Sequence, residues 1–563
     1  MLNSPLTALH TTASEQPNAP AFKIPITDPD PKTGRVADWR VISYTQFAKD
    51  VNTLADLWDR VLRKDGVDKG AVVALCLGGF AYLDVVHLYS IAKAGYVPHM
   101  FSRLPDIEIV KELLRESDTK ALIRSDRFKK VLEPVVGMGI PVYDLANPLE
   151  DSGRGDLDRV MTTESDNPDD VFMLAHSSGS TSGRPKLVRF TRRWMDSMIQ
   201  KRNHPSFRAT STRTTNWIKR PFQGECMPYS TICTPVTSAN VAQGCCTIQP
   251  SDPQHPYDFQ ELIDCIRGAS LNYVSLFCPV LIKLLRLARS DPEVLEMLKG
   301  LDCITGGGAS LPKAEVEWAA GVGLNVRILF GLTEVGMALA TEGTRYDPTG
   351  TFYVLDSPGI SYSFDPVPGE DRLLELVVRS DSVDCPGKEL RSKEDGHFHT
   401  GDLWAEVEHA KPDGDAGSGK TRKGYWYRGR DDDWIKGEYA LRCDTKAIED
   451  NLRRTCGDLI LECVAVGYGR PSPALLIEPS KGENSDNATA DTIQELRQKI
   501  FDRIQPFNRL FREHERIVSP DLILIVPRDS LPRTVTKGNV RRKAAEDFFK
   551  ETLDRAYTTY SSA

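Results

Sequence analysis

Ala175-His176-Ser177-Ser178-Gly179-Ser180-Thr181-Ser182-Gly183-Arg184-Pro185-Lys186 is a hydroxyl- and glycine-rich loop that ends in a lysine and is entered from the apolar run 171–174. Small residues let backbone N–H groups approach an anion, serine and threonine add donors, and the lysine brings a mobile positive charge. The pattern suits a polyphosphate. It is not the common P-loop, because Arg184 stands where the second glycine of G-x-x-x-x-G-K-[ST] should be. A glycine-serine stretch by itself also reads as a plain surface turn. The rest of the chain decides between the two.

Around this loop the sequence alternates between helical and extended patterns. Val51, Leu54, Ala55, Trp58, Val61 and Leu62 recur at helical spacing and predict one apolar stripe. Residues 71–77 form a short unbroken apolar run, as expected of a strand buried on both faces. Val85, Val86, Leu88 and Ile91 make a second stripe, followed by a strand over 96–100. Strands are also predicted at 121–124, 273–277 and 326–330, and a helix at 280–287. Such alternation predicts parallel sheets covered by helices, with ligands gathered beyond the carboxyl ends of the strands. From about residue 351 short alternating runs such as 373–378 indicate a more β-rich subdomain. Residues 412–421 read as a loop. The expected fold is therefore α/β. A large N-terminal domain of helix-covered sheets, with its β-rich subdomain, precedes a smaller α+β C-terminal domain, and the boundary falls between Asp431 and Asp432.

Four further motifs follow the loop in order: Phe330-Gly331-Leu332-Thr333-Glu334, His399-Thr400-Gly401-Asp402, Tyr427-Arg428-Gly429-Arg430-Asp431-Asp432-Asp433-Trp434-Ile435-Lys436, and Leu531-Pro532-Arg533-Thr534-Val535-Thr536-Lys537-Gly538. Each is weak alone. In this order and at these separations the set resembles the adenylate-forming superfamily of acyl- and aryl-CoA synthetases, nonribosomal-peptide adenylation domains, carboxylate reductases and beetle luciferases. Its nearest likeness is to the fungal NRPS-like enzymes and stand-alone AMP-dependent ligases.

The resemblance implies an N-terminal AMP-binding domain over 1–431 and a mobile C-terminal domain over 432–563 that carries a catalytic lysine. It implies ATP and Mg2+ as cofactors, and coenzyme A or a carrier-protein phosphopantetheine as acyl acceptor. Ser177, Ser178, Gly179, Ser180, Thr181 and Lys186 would hold the β- and γ-phosphates. Thr333 would touch the α-phosphate, and Glu334 would bind Mg2+, a hard cation that takes carboxylate and phosphate oxygens. Without the other motifs, Thr333-Glu334 reads as a threonine-capped helix start. Phe330 would lie along the adenine, Gly307 would let the backbone approach the adenine or the acyl group closely, and Gly331 would be a further ATP contact. Asp402 would accept the ribose hydroxyls, Arg430 would be a second ribose or phosphate contact, and Asp432 would be the hinge.

Two departures from the family pattern stand out. The family closes with Pro-x-Thr-x-x-Gly-Lys, whereas this chain has the inverted order Lys537-Gly538. The catalytic role is assigned to Lys537, with Lys543 as the poorer fallback. No histidine stands near 234–238, where the family has an aromatic or histidine-bearing turn.

Residues 231–244 contain no Asp or Glu. An amino-acid substrate would leave its ammonium unpaired there, which is costly in an apolar pocket. The expected substrate is an aryl or aliphatic carboxylic acid lacking an α-amino group, held by a pocket that includes Ser238, Asn240, Phe277, Gly306 and Gly308. Few residues remain past Arg541, too few for a carrier domain. A stand-alone ligase and an adenylation domain of an NRPS-like reductase or synthetase both stay open, as do a non-catalytic nucleotide-binding relative and an oxygenase on the same scaffold.

Bulk properties set outer limits. A chain of 563 residues is too long for one core. Its 40% hydrophobic and 27% charged content is ordinary for a globular protein. A formal charge of −8 argues against a nucleic-acid partner, since phosphate-backbone binding needs a basic excess. The 12 cysteines show no zinc spacing and read as buried thiols. Met1-Leu2-Asn3-Ser4-Pro5 carries no signal-peptide pattern, no run is long enough to span a membrane, and the chain does not end in Ser-Lys-Leu. A cytoplasmic location is expected.

Overall fold

A computed structural model describes residues 4–27, 36–77, 81–101, 107–146, 167–176, 185–202, 204, 215–218, 233–249, 259–368, 370, 372–410, 421–431, 434–436, 442–480, 490–511, 513–533 and 540–562. The run 71–77 becomes the strand Val72–Cys76, which pairs in parallel with both Val97–Met100 and Thr119–Arg124. Val73, Ala74 and Leu75 are fully buried there, because helices cover both faces of a central parallel strand. One cover is Tyr44–Lys64, started by Ser43, whose hydroxyl accepts the Gln46 N–H at 3.1 Å. Its stripe of Phe47, Val51, Leu54, Ala55, Trp58 and Leu62 is buried. Val142–Asp144 pairs in parallel with Thr119–Arg124 at one edge, and beyond Val97–Met100 come Val171–His176 and, antiparallel to it, Leu187–Thr191, which makes six strands among the described residues.

A second sheet has 13 strands among the described residues. Its middle is parallel, with Tyr273–Phe277, Cys303–Gly307 and Val326–Leu332 side by side. Beyond Val326–Leu332 the direction reverses at Gly336–Thr341, and antiparallel strands continue through Phe352–Val354, Thr421–Arg430, Phe398–Ala410, Leu374–Val378 and Tyr362–Pro366. The β-rich stretch is thus hydrogen-bonded to the parallel strands as one surface.

A smaller unit follows. The strands Ile460–Val466, Ala474–Pro479 and Ile523–Ile525 form a sheet, and helices including Thr445–Cys456 and Ala490–Asn508 bury Leu452, Ile477 and Ile500 against it. Trp434 packs with Val367, Leu373 and Leu403 of the large sheet, and its indole N–H donates to the Arg428 carbonyl at 3.0 Å. Among the described residues ten cysteines are free thiols, and all ten are buried. Among the described residues no helix is long and apolar enough to cross a membrane.

Candidate active site

Three neighbouring parallel strands end together. The register Phe277↔Gly307↔Leu329 puts 277, 307–308 and 330–334 at their common carboxyl edge. Gly308 has φ +77°, and a Cβ there would lie 2.6 Å from the Phe277 ring, so glycine is required for the chain to pass this close. A Cβ on Gly307 would meet only the Leu329 backbone and Cβ at ordinary distances.

Gly306 faces the other way. Its missing side chain would point at Leu281 (2.8 Å), Cys278 and Ile328, beneath the helix Cys278–Ser290, so it serves helix–sheet packing instead of the pocket. Ser238 and Asn240 are engaged by interior neighbours. Both are fully buried in Cys233–Ala242, with the Ser238 hydroxyl 3.3 Å from the Tyr89 hydroxyl and the Asn240 amide donating to Thr247 Oγ1 at 3.4 Å. Their place along the chain put these residues near the expected pocket, but strand alternation and helix facing set the direction of each side chain.

Thr333 and Glu334 do not start a helix. They form the tight turn between Val326–Leu332 and Gly336–Thr341, which Gly336 permits with φ +70°. The turn is held from behind. Trp194 Nε1 donates to the Glu334 carbonyl at 3.1 Å, and a Cβ on Gly336 would run into Met198 and Trp194. Both residues belong to the helix Arg192–Arg202, which follows Leu187–Thr191. His176 pairs with Leu187, so the strands flanking the phosphate loop lie side by side, and exposed Lys186 stands at the start of the second. Ser177, Ser178, Gly179, Ser180 and Thr181 lie outside the described residues, as do Asp432 and Lys537.

The third part of the site comes from a cross-strand pair. Asp402 and Arg430 are 28 positions apart in sequence but directly opposed in register. The buried Asp402 carboxylate accepts the Tyr427 hydroxyl at 2.9 Å and Arg430 NH1 at 3.4 Å. Tyr427 in turn lies 5.6 Å, ring to ring, from Phe330, and both pack on Trp404. One contact chain therefore joins Phe330, Tyr427, Asp402 and Arg430. Sequence reading had given Tyr427 no role, although it opens the motif that holds Arg430.

Glu375 braces the same corner. One of its oxygens accepts the Gly401 N–H at 2.9 Å, and the other meets His399 Nδ1 at 3.0 Å, while His399 Nε2 meets Asp395 at 2.9 Å. Burial by itself would lower the His399 pKa, but bonding to the two carboxylates, with their charges, raises it above the ordinary value. A raised folded-state pKa gives stability that is complete below the unfolded value of about 6.5 and is lost as pH rises through the folded value. We expect wild-type thermal stability to decline above about pH 6.5 by up to ~1 kcal/mol after solvent screening. His399→Gln should remove that decline, and equal pH slopes in thermal melts of the two proteins would refute the assignment.

The donor set fits the ligands that the resemblance implies. Glu334 is half-buried, and among the described residues its carboxylate has no hydrogen-bond or ion-pair partner, which leaves it available to a cation. No group of three His, Cys, Asp or Glu among the described residues could hold a metal alone. A single carboxylate beside a phosphate site is how Mg2+ is commonly bound.

Comparison with known proteins identifies the family. A profile described as AMP-binding enzyme matches residues 9–358, and one described as AMP-binding enzyme C-terminal domain matches 432–561. The AMP-binding domain-containing enzyme iboA of Amanita muscaria is 29% identical over 94% of this chain and 98% of its own length. The adenylate-forming reductase Nps10 of Heterobasidion annosum is 23% identical over 80% of the chain, which spans 39% of that larger protein. Among solved structures, ATP-bound MatB from Rhodopseudomonas palustris superposes with a TM-score of 0.72 at 16% identity, covering 98% of this chain and 100% of that one. The o-succinylbenzoate CoA synthetase MenE from Bacillus subtilis, with its acyl-adenylate intermediate, gives 0.69 at 15% identity over 96% and 97%. The strand ends, the Thr-Glu turn and the Asp-Arg pair thus sit on a fold shared end to end with acyl-CoA synthetases, and the chain belongs to the AMP-binding, adenylate-forming enzyme family.

Proposed function

We propose that the protein activates a carboxylic acid with ATP and transfers the acyl group to a thiol. In the first step a carboxylate oxygen forms a bond to the α-phosphorus while the bond to pyrophosphate breaks. Anions must meet and separate, so positioning and fixed charge supply most of the acceleration. The observation that carries the proposal is that one sheet presents the Phe330–Tyr427–Asp402–Arg430 chain together with the Thr333-Glu334 turn.

In this reading Phe330 and Tyr427 flank the adenine, Asp402 accepts the ribose hydroxyls, and Arg430 holds Asp402 in place and adds positive charge. Thr333 donates to the α-phosphate. Lys186 and the hydroxyls of Ser177, Ser178, Ser180 and Thr181 bind the terminal phosphates. Glu334 holds Mg2+, which supplies charge neutralisation on the phosphate oxygens. The large domain ends at 431, Asp432 is the hinge, and Lys537 of the small domain serves the adenylation step. The acid lacks an α-amino group, and the acceptor is coenzyme A or a phosphopantetheine arm. Similarity to Nps10 favours a second reading, in which the chain acts as the adenylation unit of a reductase-like assembly.

Acid-dependent exchange of labelled pyrophosphate into ATP, run over aryl and aliphatic acids, tests the first step. Thioester formation with coenzyme A or a loaded carrier separates the acceptors. ATP binding without exchange for any acid would instead mark a non-catalytic relative. Asp402→Asn keeps the shape of the buried side chain and removes its charge, so ATP binding should weaken by about 1.5–3 kcal/mol, the range for hydrogen bonds to a charged group. An unchanged dissociation constant by calorimetry would make Asp402 purely structural.

A further inference from the structure

The helix Arg192–Arg202 touches the Thr333-Glu334 hairpin along one face. Trp194, Met198 and Lys201 are spaced i, i+4 and i+7, which stacks them on one side of a helix. They meet the hairpin in order: Trp194 at the Glu334 carbonyl, Met198 at Gly336, and Lys201 at the Met337 carbonyl. A lysine in this place is unexpected, since its side chain is fully buried.

Lys201 Nζ donates to the Met337 carbonyl at 2.6 Å, to the Tyr362 hydroxyl at 2.9 Å and to Asp384 Oδ2 at 2.6 Å, and it lies 3.5 Å from the Val335 carbonyl. Three ammonium protons thus have three close acceptors. Asp384 is equally buried and is bonded by the Tyr362 and Ser382 hydroxyls. Burial holds the Lys201 pKa below its ordinary value, and the charge and hydrogen bond of Asp384 offset only part of that. A buried ion pair is seldom more stabilising than apolar residues of the same volume. Stability alone therefore does not account for a charge here. Its distinctive effect is on the backbone, because the ammonium fixes the carbonyls of the strand that leaves the turn.

We propose that Lys201, held by Asp384 and Tyr362, is a positioning residue that fixes the hairpin so that Glu334 is set for the metal before ATP binds. The inference rests on the reading of Glu334 as the magnesium ligand. Trp194, at the other end of the same helix face, holds the Glu334 carbonyl. Residues that orient a metal ligand typically change metal affinity or activity by about 10–100-fold when removed.

The test compares wild type with Lys201→Met/Asp384→Asn, which removes the charge pair without leaving a bare buried carboxylate. In the ligand-free proteins, hydrogen exchange of the 332–337 amides should be faster in the variant, with exchange of the strand Val72–Cys76 unchanged. With ATP present, half-saturation by Mn2+, read by electron paramagnetic resonance, should rise about 10–100-fold. Pyrophosphate exchange should recover toward the native rate at high Mg2+, a recovery that general destabilisation would not give. Native hairpin exchange together with native metal dependence would overturn the proposal. If the double variant fails to fold, Tyr362→Phe removes only the hydroxyl that bonds both Lys201 and Asp384, and native hairpin exchange with unchanged Mn2+ half-saturation there would overturn the proposal equally. Native Mn2+ binding in Glu334→Gln would instead remove Glu334 as ligand, and hairpin exchange would still decide whether Lys201 fixes the turn.

Discussion

Glu334→Gln is expected to lower Mg2+-dependent adenylate formation by about 10²–10³-fold, comparable to removing one preorganised electrostatic contact from a transition state. The fold should be nearly indifferent to the change. Glutamine has the same shape, the side chain is half-buried, and among the described residues nothing bonds to the carboxylate. The link to Trp194 survives because it uses the Glu334 backbone carbonyl. Stability should therefore move by no more than about 0.5 kcal/mol, the usual range for a substitution that breaks no buried contact. The two effects must separate: a large loss of acid-dependent pyrophosphate exchange at fixed Mg2+, and an unchanged thermal melt. Native exchange would remove Glu334 from the chemistry. A loss of exchange with a matching loss of stability would mean that the turn had collapsed, and raising Mg2+ would then restore nothing.

The same turn shows where the sequence was readable and where it was not. The run 71–77 announced a central parallel strand because burial on both faces leaves no polar position, a constraint visible in one short window. The stripe from Val51 to Leu62 was legible for a different reason, since one buried helix face repeats its apolar residues every three or four positions. Thr333-Glu334 was ambiguous locally, since threonine before glutamate also starts helices. What makes it a hairpin is Gly336 at positive φ under the Trp194 and Met198 side chains, a contact across more than 130 residues. The Asp402–Arg430 opposition is likewise a matter of strand register, which no motif encodes. Gly306 and Gly308 show the limit most simply. They are two residues apart and chemically identical, yet one lies beneath a helix and the other against Phe277. Lys201 was invisible for a related reason: a lysine on a polar helix is nearly always solvated, and only tertiary packing made this one part of the interior.

Lys537→Ala should reduce acyl-adenylate formation by about 10²–10³-fold and leave the conversion of a supplied acyl-adenylate to thioester close to the native rate. The separation follows if the small domain brings its lysine to the site only for the first step and swings away for the second. Lys537 itself lies outside the described residues, but its flanks are defined. Arg533 and Val540 pair in an antiparallel bridge, Arg541 N–H donates to the Pro532 carbonyl at 2.8 Å, and the fully buried Glu478 accepts Leu531 N–H at 2.9 Å and Arg533 NH2 at 2.7 Å. Residues 533 and 540 are therefore fixed to the small unit, which would let 534–539 travel with it. The fallback candidate is placed differently. Lys543 is strongly exposed on the helix Arg542–Phe548, at 3.8 Å from Asp547, the ordinary setting of a solvated surface pair. Lys543→Ala should accordingly leave both steps intact. Normal adenylation by Lys537→Ala would show that the inverted Lys537-Gly538 order has moved the charge elsewhere, and loss of adenylation in Lys543→Ala would say where. Equal loss of both steps in a Lys537→Ala protein that circular dichroism finds folded would mean that the lysine stays at the site throughout, and the swing of the small domain would have to be abandoned.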